Sequence, residues 1–130
     1  MLKGVLIAES LQVDARLEDV PLTITGLYRV AINDATKDQP PVWTIIYFEA
    51  REQDTGLLTE FFAAQLDTPG WYADMHTDAT MFVIFPHKVF AYPRGDKDGR
   101  AEAIAYAHTV GVPETQFWSE DDTTPDPALS

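Results

Sequence analysis

Two short apolar runs constrain the fold of this chain more than any other feature. Val42–Phe48 and Met81–Phe85 carry bulky apolar or β-branched side chains at both odd and even positions. Because side chains alternate between the two faces of a strand, both faces of a sheet would be apolar at these runs. Such runs are typical of strands near the centre of a sheet, covered on both faces or nearly so. The sequence therefore predicts a sheet at the core of the fold.

Further segments have the composition of strands. Leu22–Ile32 alternates, with most of its apolar residues at even positions, as expected for a strand. Lys3–Leu11 is apolar and β-branched enough for a strand or an extended arm. Trp71–His76 also alternates, and Val89–Tyr92 reads as a short strand after a break in the chain.

Two segments have the spacing of helices. Leu57–Leu66 places Leu and Phe residues at helical intervals, and Asp54 before it suits an N-cap. A second helix is predicted to begin at Asp96 or Asp98 and to end near Val110, where a Gly and a Pro follow.

The order of these elements indicates the fold class. From Val42 to Val110 the order is β-α-β-β-α, which is that of a ferredoxin-like split βαβ unit without its last strand. Leu22–Ile32 would supply the missing edge by pairing antiparallel with Val42–Phe48, in a circularly permuted version of that layout. We therefore predict an α+β fold, with one antiparallel sheet of about five strands and two helices on one face.

Length and composition indicate one domain. The 130 residues are 45% apolar, which is ample for one core in a chain of ordinary domain size. After Phe117-Trp118 the chain turns to Ser, Glu, Asp, Thr and Pro. We therefore predict a single domain over residues 1–118 and a disordered acidic tail over residues 119–130.

The charge and the absence of cysteine exclude several classes of protein. Acidic residues number 21 against nine basic ones, giving a formal net charge of −12, which argues against binding to nucleic acid or an anionic membrane surface. The absence of cysteine removes disulfides, thiol nucleophiles and Cys-ligated metals. No segment approaches the roughly 20 apolar residues of a membrane span or the pattern of a signal peptide. We expect a cytoplasmic protein.

Tyr72, Asp74 and His76 form the most suggestive group of polar residues. On a strand they share one face, where a carboxylate and an imidazole two residues apart suit an acid–base pair or a ligand. The simpler interpretation is an edge strand with these groups in water. Two ligands do not make a metal site, so neither a metal nor a cofactor is predicted, and no known catalytic motif is present.

Arg94 is the second candidate ligand-binding residue. It lies near the start of the second predicted helix, together with Lys97 and Arg100. A basic cluster at a helix N-terminus suits a phosphate or carboxylate ligand.

The segment Tyr92–Pro113 resembles part of a known group of proteins. Its Tyr92-Pro93-Arg94-Gly95-Asp96, followed by Arg100, Ala103, Tyr106-Ala107 and Gly111-Val112-Pro113, resembles a pattern in small bacterial α+β proteins without assigned function. The resemblance implies no activity and no site residues.

These observations support three hypotheses on function. The first is a non-catalytic binding or assembly module, a homodimer through an open sheet face whose candidate aromatic residues are Trp43, Tyr47, Phe82 and Phe90. The second is a small enzyme or ligand-binding domain with a cleft around Tyr72, Asp74 and His76. The third is an acidic decoy for a basic partner. A homo-oligomer is the partner expected first, and a small molecule or another protein stays open.

Overall fold

Residues 1–122, which the computed structural model describes, form one antiparallel sheet of six strands and two α-helices. The sheet order is β2-β3-β1-β4-β5-β6. The predicted α+β class, antiparallel sheet and two helices are confirmed, with six strands rather than about five. In chain order the elements are β1 (Leu2–Ile7), β2 (Leu22–Ala31), β3 (Val42–Ala50), α1 (Thr55–Gln65), β4 (Ala73–His76), β5 (Thr80–Phe85), β6 (Lys88–Pro93) and α2 (Lys97–Thr109).

The N-terminal strand β1 lies at the centre of the sheet. It pairs antiparallel with β3 on one side and with β4 on the other. β3 and β4 are therefore parallel to each other, and α1 connects them with β1 between them. The segment that the sequence left open between a strand and an extended arm is thus a central strand.

The predicted pairing of the second strand with the third is confirmed. β2 runs antiparallel to β3 from Leu22 opposite Ala50 to Ala31 opposite Val42, with an irregularity at Thr25. Because β2 has a neighbour on one side only within the described sheet, it forms an edge.

The two helices lie on opposite faces of this sheet. Ile84 of β5 packs in one core cluster with Leu58 and Phe62 of α1, whereas its neighbour Val83 packs in another with Ala103 of α2. Since neighbouring strand residues point to opposite faces, each helix covers a different face, named here the α1 face and the α2 face. The prediction of both helices on one face is wrong, because the apolar run in β5 needs cover on both sides. The layout departs from the ferredoxin-like one in this respect.

A glycine in β1 allows close packing beneath α1. Gly4 lies opposite Phe48 and Met75. A Cβ at this position would lie 2.5 Å from Cζ of Phe48 and 2.9 Å from Cγ of Met75. The missing side chain leaves room for the ring of Phe48, which stacks on Phe62 of α1 at 6.5 Å between centroids.

The start of the predicted tail belongs to the folded domain. Asp122 is only 1% exposed, and its carboxylate accepts hydrogen bonds from the Tyr92 hydroxyl at 2.9 Å and the Gly95 N–H at 2.8 Å. Arg100 donates to the carbonyl oxygens of Ser119 and Trp118. Residues 119–122, which the sequence places in the predicted tail, therefore pack against β6 and α2. Residues 123–130 lie outside the described residues.

Neither helix within residues 1–122 combines the length and the apolar composition that a membrane span requires.

We predict that Asp122→Ala destabilises the chain by roughly 1–3 kcal/mol, because the Tyr92 hydroxyl and the Gly95 N–H lose their acceptor. Glu120→Ala, which changes an exposed acid two residues earlier, should alter the free energy of unfolding by less than about 0.5 kcal/mol. Urea denaturation of both variants measures the difference. Equal stabilities of the two variants would show that the docking of Asp122 contributes little.

Candidate functional site

Tyr72, Asp74 and His76 lie on and beside β4, in the interior of the sheet. Asp74 is opposite Val5 of β1 on one side and Val83 of β5 on the other. All four residues of β4 are buried, with Asp74 only 4% exposed. The interpretation of an edge strand with polar groups in water is therefore wrong. Sequence reasoning missed this because the partner β1 lies some 70 residues away in the chain.

A small cavity opens beside Asp74 on the α2 face. Its volume is about 60 Å³, enough for a few water molecules or one small functional group. β1 and β4 form its floor, and the loop before β4 and the segment after α2 form its walls. The lining residues are Val5, Ile7, Trp43, Gly70, Trp71, Tyr72, Asp74 and Gln116.

The carboxyl group of Asp74 is incompletely satisfied. Its Oδ1 is buried and has no hydrogen-bond partner among the described residues, although most buried polar atoms in proteins have one. Burial raises the pKa of Asp74 to about 7, and the nearby Asp122 contributes in the same direction. Close to neutral pH the carboxyl can therefore change its charge in response to a ligand.

Three aromatic rings in the cavity wall are held in place by neighbouring groups. Trp43 and Trp71 contact each other at 5.1 Å between centroids, with planes tilted by 55°. The indole Nε1 of Trp43 donates to the carbonyl oxygen of Pro40 at 2.8 Å. The Tyr72 hydroxyl donates to the carbonyl oxygen of Gln116. The rings thus form a fixed, largely apolar wall around one carboxyl group.

Two glutamines fasten the rim of the cavity. Gln116 Nε2 donates to Oε1 of Gln39 at 2.9 Å and to the Asp34 carbonyl oxygen at 3.0 Å. Gln39 Nε2 donates in return to Oε1 of Gln116 and to the carbonyl oxygen of Gly70, both at 3.3 Å. The connection between β2 and β3 therefore holds two wall segments together. A buried glutamine in a polar loop gives no sequence signal for this role.

His76 is on the same face as Asp74 but does not line the cavity. Burial, together with the positive charges of Arg94 and Lys3, lowers its pKa to about 4. The imidazole is therefore neutral at pH 7. In residues 1–122 no cluster of three or more His, Asp or Glu side chains is arranged to hold a metal ion.

Arg94 lies away from the cavity and supports the fold. Its Nε donates to the carbonyl oxygen of Asp122 at 3.1 Å. Its Nη1 donates to the carbonyl oxygens of Thr77 and Asp78 at 3.2 and 3.3 Å. The guanidinium thus joins the β4–β5 turn to the C-terminal segment. Of the four predicted ligand-binding residues, only Tyr72 and Asp74 are brought together at the cavity.

Most of the cavity wall was not identified from sequence. Trp43 was noted only as an aromatic strand residue, and Val5, Ile7 and Gln116 carried no signal. They meet because β1 pairs with both β3 and β4, and strand pairing over such distances cannot be read from local periodicity.

Comparison with known proteins adds no relative. No family model matches the chain, and neither a curated protein nor a solved structure shows significant similarity to it.

Asp74 and His76 should give opposite pH dependences of stability. In the folded chain Asp74 keeps its proton up to a pKa of about 7. Its contribution to the free energy of unfolding therefore falls as the pH rises from about 4 to 7. His76 resists protonation down to a pKa of about 4, so its contribution falls as the pH decreases from about 6.5 to 4. Between those limits the two effects oppose each other.

We predict that Asp74→Asn removes the loss of stability that Asp74 causes between pH 4 and 7. The free energy of unfolding of this variant, relative to the unmodified chain, should rise between pH 4 and 7 by up to about 1.4 kcal/mol per pH unit. Urea denaturation across this pH range measures the difference. Asp14→Asn, at an exposed position with positive φ that Asn also tolerates, should show no such trend. If the difference in the free energy of unfolding between Asp74→Asn and the unmodified chain does not change with pH, the pKa of Asp74 is not raised.

Proposed function

We propose that the chain is a ligand-binding domain that takes a small ligand group into the cavity at Asp74. The observation that carries this proposal is the buried, unpartnered Oδ1 of Asp74 beside a cavity with aromatic walls. Small-molecule sites in proteins combine a mostly apolar wall with a few convergent polar groups. This proposal develops the second of the three hypotheses.

The composition of the wall favours binding over catalysis. Asp74 is its only carboxyl group. Burial raises the pKa of Tyr72 well above its ordinary value, so that its hydroxyl stays protonated and hydrogen-bonded to Gln116. General acid–base catalysis commonly needs a second titrating group within reach of the reacting atoms. His76, the other candidate, lies outside the wall.

The surroundings of the cavity indicate how a larger ligand would lie. Ile7 and Val5 of the wall are paired with Ile45 and Tyr47 of β3, which are half-buried on the same face. Tyr28 of β2 extends this apolar strip, with its ring 6.1 Å from that of Tyr47. A ligand with a small polar group in the cavity would place an apolar body along this strip.

Small probes of different charge test whether the cavity binds ligands. We predict that at least one of ethylammonium, acetamide and acetate shifts the indole N–H resonances of Trp43 and Trp71 saturably in NMR titrations. Val5→Phe, which fills the cavity, should abolish the shift, and its folded state is checked by circular dichroism. Val13→Phe, at a fully exposed position, should leave the shift intact. If no probe shifts these resonances, the binding proposal is wrong.

A second proposal, self-association, is favoured by the surface of β2. Ile24 and Leu27 are 60% and 62% exposed, and Tyr28 and Val30 are 39% and 37% exposed. Arg29 is the only charged residue between Leu22 and Ala31 in a strongly acidic chain. An exposed apolar edge strand is a template for pairing with another chain, and a second copy of β2 would add no acidic residue there.

The interface proposed here differs from the open sheet face expected from the sequence. Phe82 lies on the α1 face and Phe90 on the α2 face, so the four aromatic residues expected there do not form one surface. Trp43 is buried. Helices cover both faces of β5, and a group of exposed apolar residues lies on β2 instead.

We predict that the chain self-associates through β2 at micromolar concentrations. Raised salt should strengthen the association, because it screens repulsion between chains of net charge −12. Leu27→Lys should weaken it by placing a charge on the edge, whereas Val13→Lys, on an exposed loop, should not. Sedimentation velocity at low and high salt measures the species present. A monomer under both conditions at high micromolar concentration would contradict the proposal.

A further inference from the structure

We propose that the group bound in the cavity is a small organic ammonium, carried on an apolar body and held by Asp74 and the rings of Trp43 and Trp71. This inference rests on the proposed ligand-binding function and names the chemical class of its ligand.

The charge at the cavity selects for a cation. An ionised carboxylate buried without a partner is unfavourable, and an ammonium group supplies both a hydrogen-bond donor and the opposite charge. A neutral donor supplies only the hydrogen bond. An anion would be repelled by the carboxylates of Asp74 and the nearby Asp122 and by the net charge of −12 on the chain.

The hydrogen-bonding groups of the wall also favour a ligand group that donates hydrogen bonds. The Trp43 indole N–H, the Tyr72 hydroxyl and the Gln116 amide N–H groups already donate to other protein atoms. The carboxyl oxygen of Asp74 is the acceptor without a partner. A ligand group that donates a hydrogen bond therefore fits this acceptor.

The aromatic rings add a second source of cation affinity. The face of an aromatic ring attracts a cation, and tryptophan does so most strongly. Two tryptophans in contact and one tyrosine belong to this wall. Aromatic rings around a carboxylate are a combination suited to alkylammonium groups.

The size of the cavity limits the group that enters. About 60 Å³ accommodates an ammonium with one or two carbon atoms, since one water needs roughly 10–15 Å³ of such space. The remainder of a larger amine would lie on the apolar strip beside Ile45 and Tyr47. The expected ligands are therefore primary or methylated amines with an apolar chain or ring.

Binding of a cation should release a proton near neutral pH. Asp74 is partly protonated there in the free chain, because burial raises its pKa to about 7, and the cation favours the ionised form. The charged and titratable groups that interact with this region are Asp122 on the C-terminal segment, Tyr47 on β3, Tyr72 before β4 and Arg100 on α2. Both tyrosines have raised pKa values and stay neutral.

Calorimetric titration with ethylammonium chloride, acetamide and sodium acetate tests the ligand class. At pH 8 we expect ethylammonium to bind at least tenfold more tightly than acetamide, and acetate not to bind. Affinity for ethylammonium should fall at least tenfold in Asp74→Asn and stay unchanged in Asp14→Asn. At pH 7, titrations in two buffers of different ionisation enthalpy should show proton release in the unmodified chain and in Asp14→Asn but not in Asp74→Asn. Sodium chloride controls for ionic strength.

The possible results separate the two proposals. If acetamide binds as tightly as ethylammonium, or if Asp74→Asn keeps the full affinity, the ammonium class is wrong while ligand binding stands. If none of the three probes binds to the unmodified chain, both the ligand class and the ligand-binding function are wrong.

Discussion

The pairing of β1 with both β3 and β4 is the constraint on which the rest of the structure depends. Without this strand the β2–β3 pair and the β4–β5–β6 unit share no direct strand pairing. β1 also contributes to both sides of the sheet. Its Leu2 is fully buried in the core beneath α1, while its Val5 and Ile7 line the cavity on the α2 face. One six-residue strand thus joins the core to the candidate site.

The same arrangement explains why a carboxyl group is buried at Asp74. The position lies between two central strands, and its side chain, on the α2 face, is only 4% exposed. A hydrophobic side chain there would stabilise the fold more, since an unsatisfied buried polar group costs free energy. Departures of this kind from good core packing concentrate at functional sites. Stability alone therefore does not explain a buried carboxyl group beside a cavity at this position.

Local sequence patterns predicted the elements well and their arrangement only in part. The strand at Leu22–Ile32, the helices and the antiparallel pairing of β2 with β3 followed from periodicity, capping residues and chain proximity. The placement of helices on opposite faces did not, although the apolar run Met81–Phe85 required cover on both sides. For the site, Tyr72 and Asp74 were identified by their shared strand face. Their neighbours Trp43 and Gln116 were not, because only long-range strand pairing and the docking of the C-terminal segment bring them there.

Titration of Asp74 itself tests whether it is a buried carboxyl group that accepts a cation. The ¹³C shift of the Asp74 side-chain carboxyl can be followed against pH by NMR, with and without ethylammonium. We expect a midpoint near pH 7 in the free chain, displaced to lower pH by the ligand. A midpoint near 4 that ethylammonium leaves unchanged would contradict it.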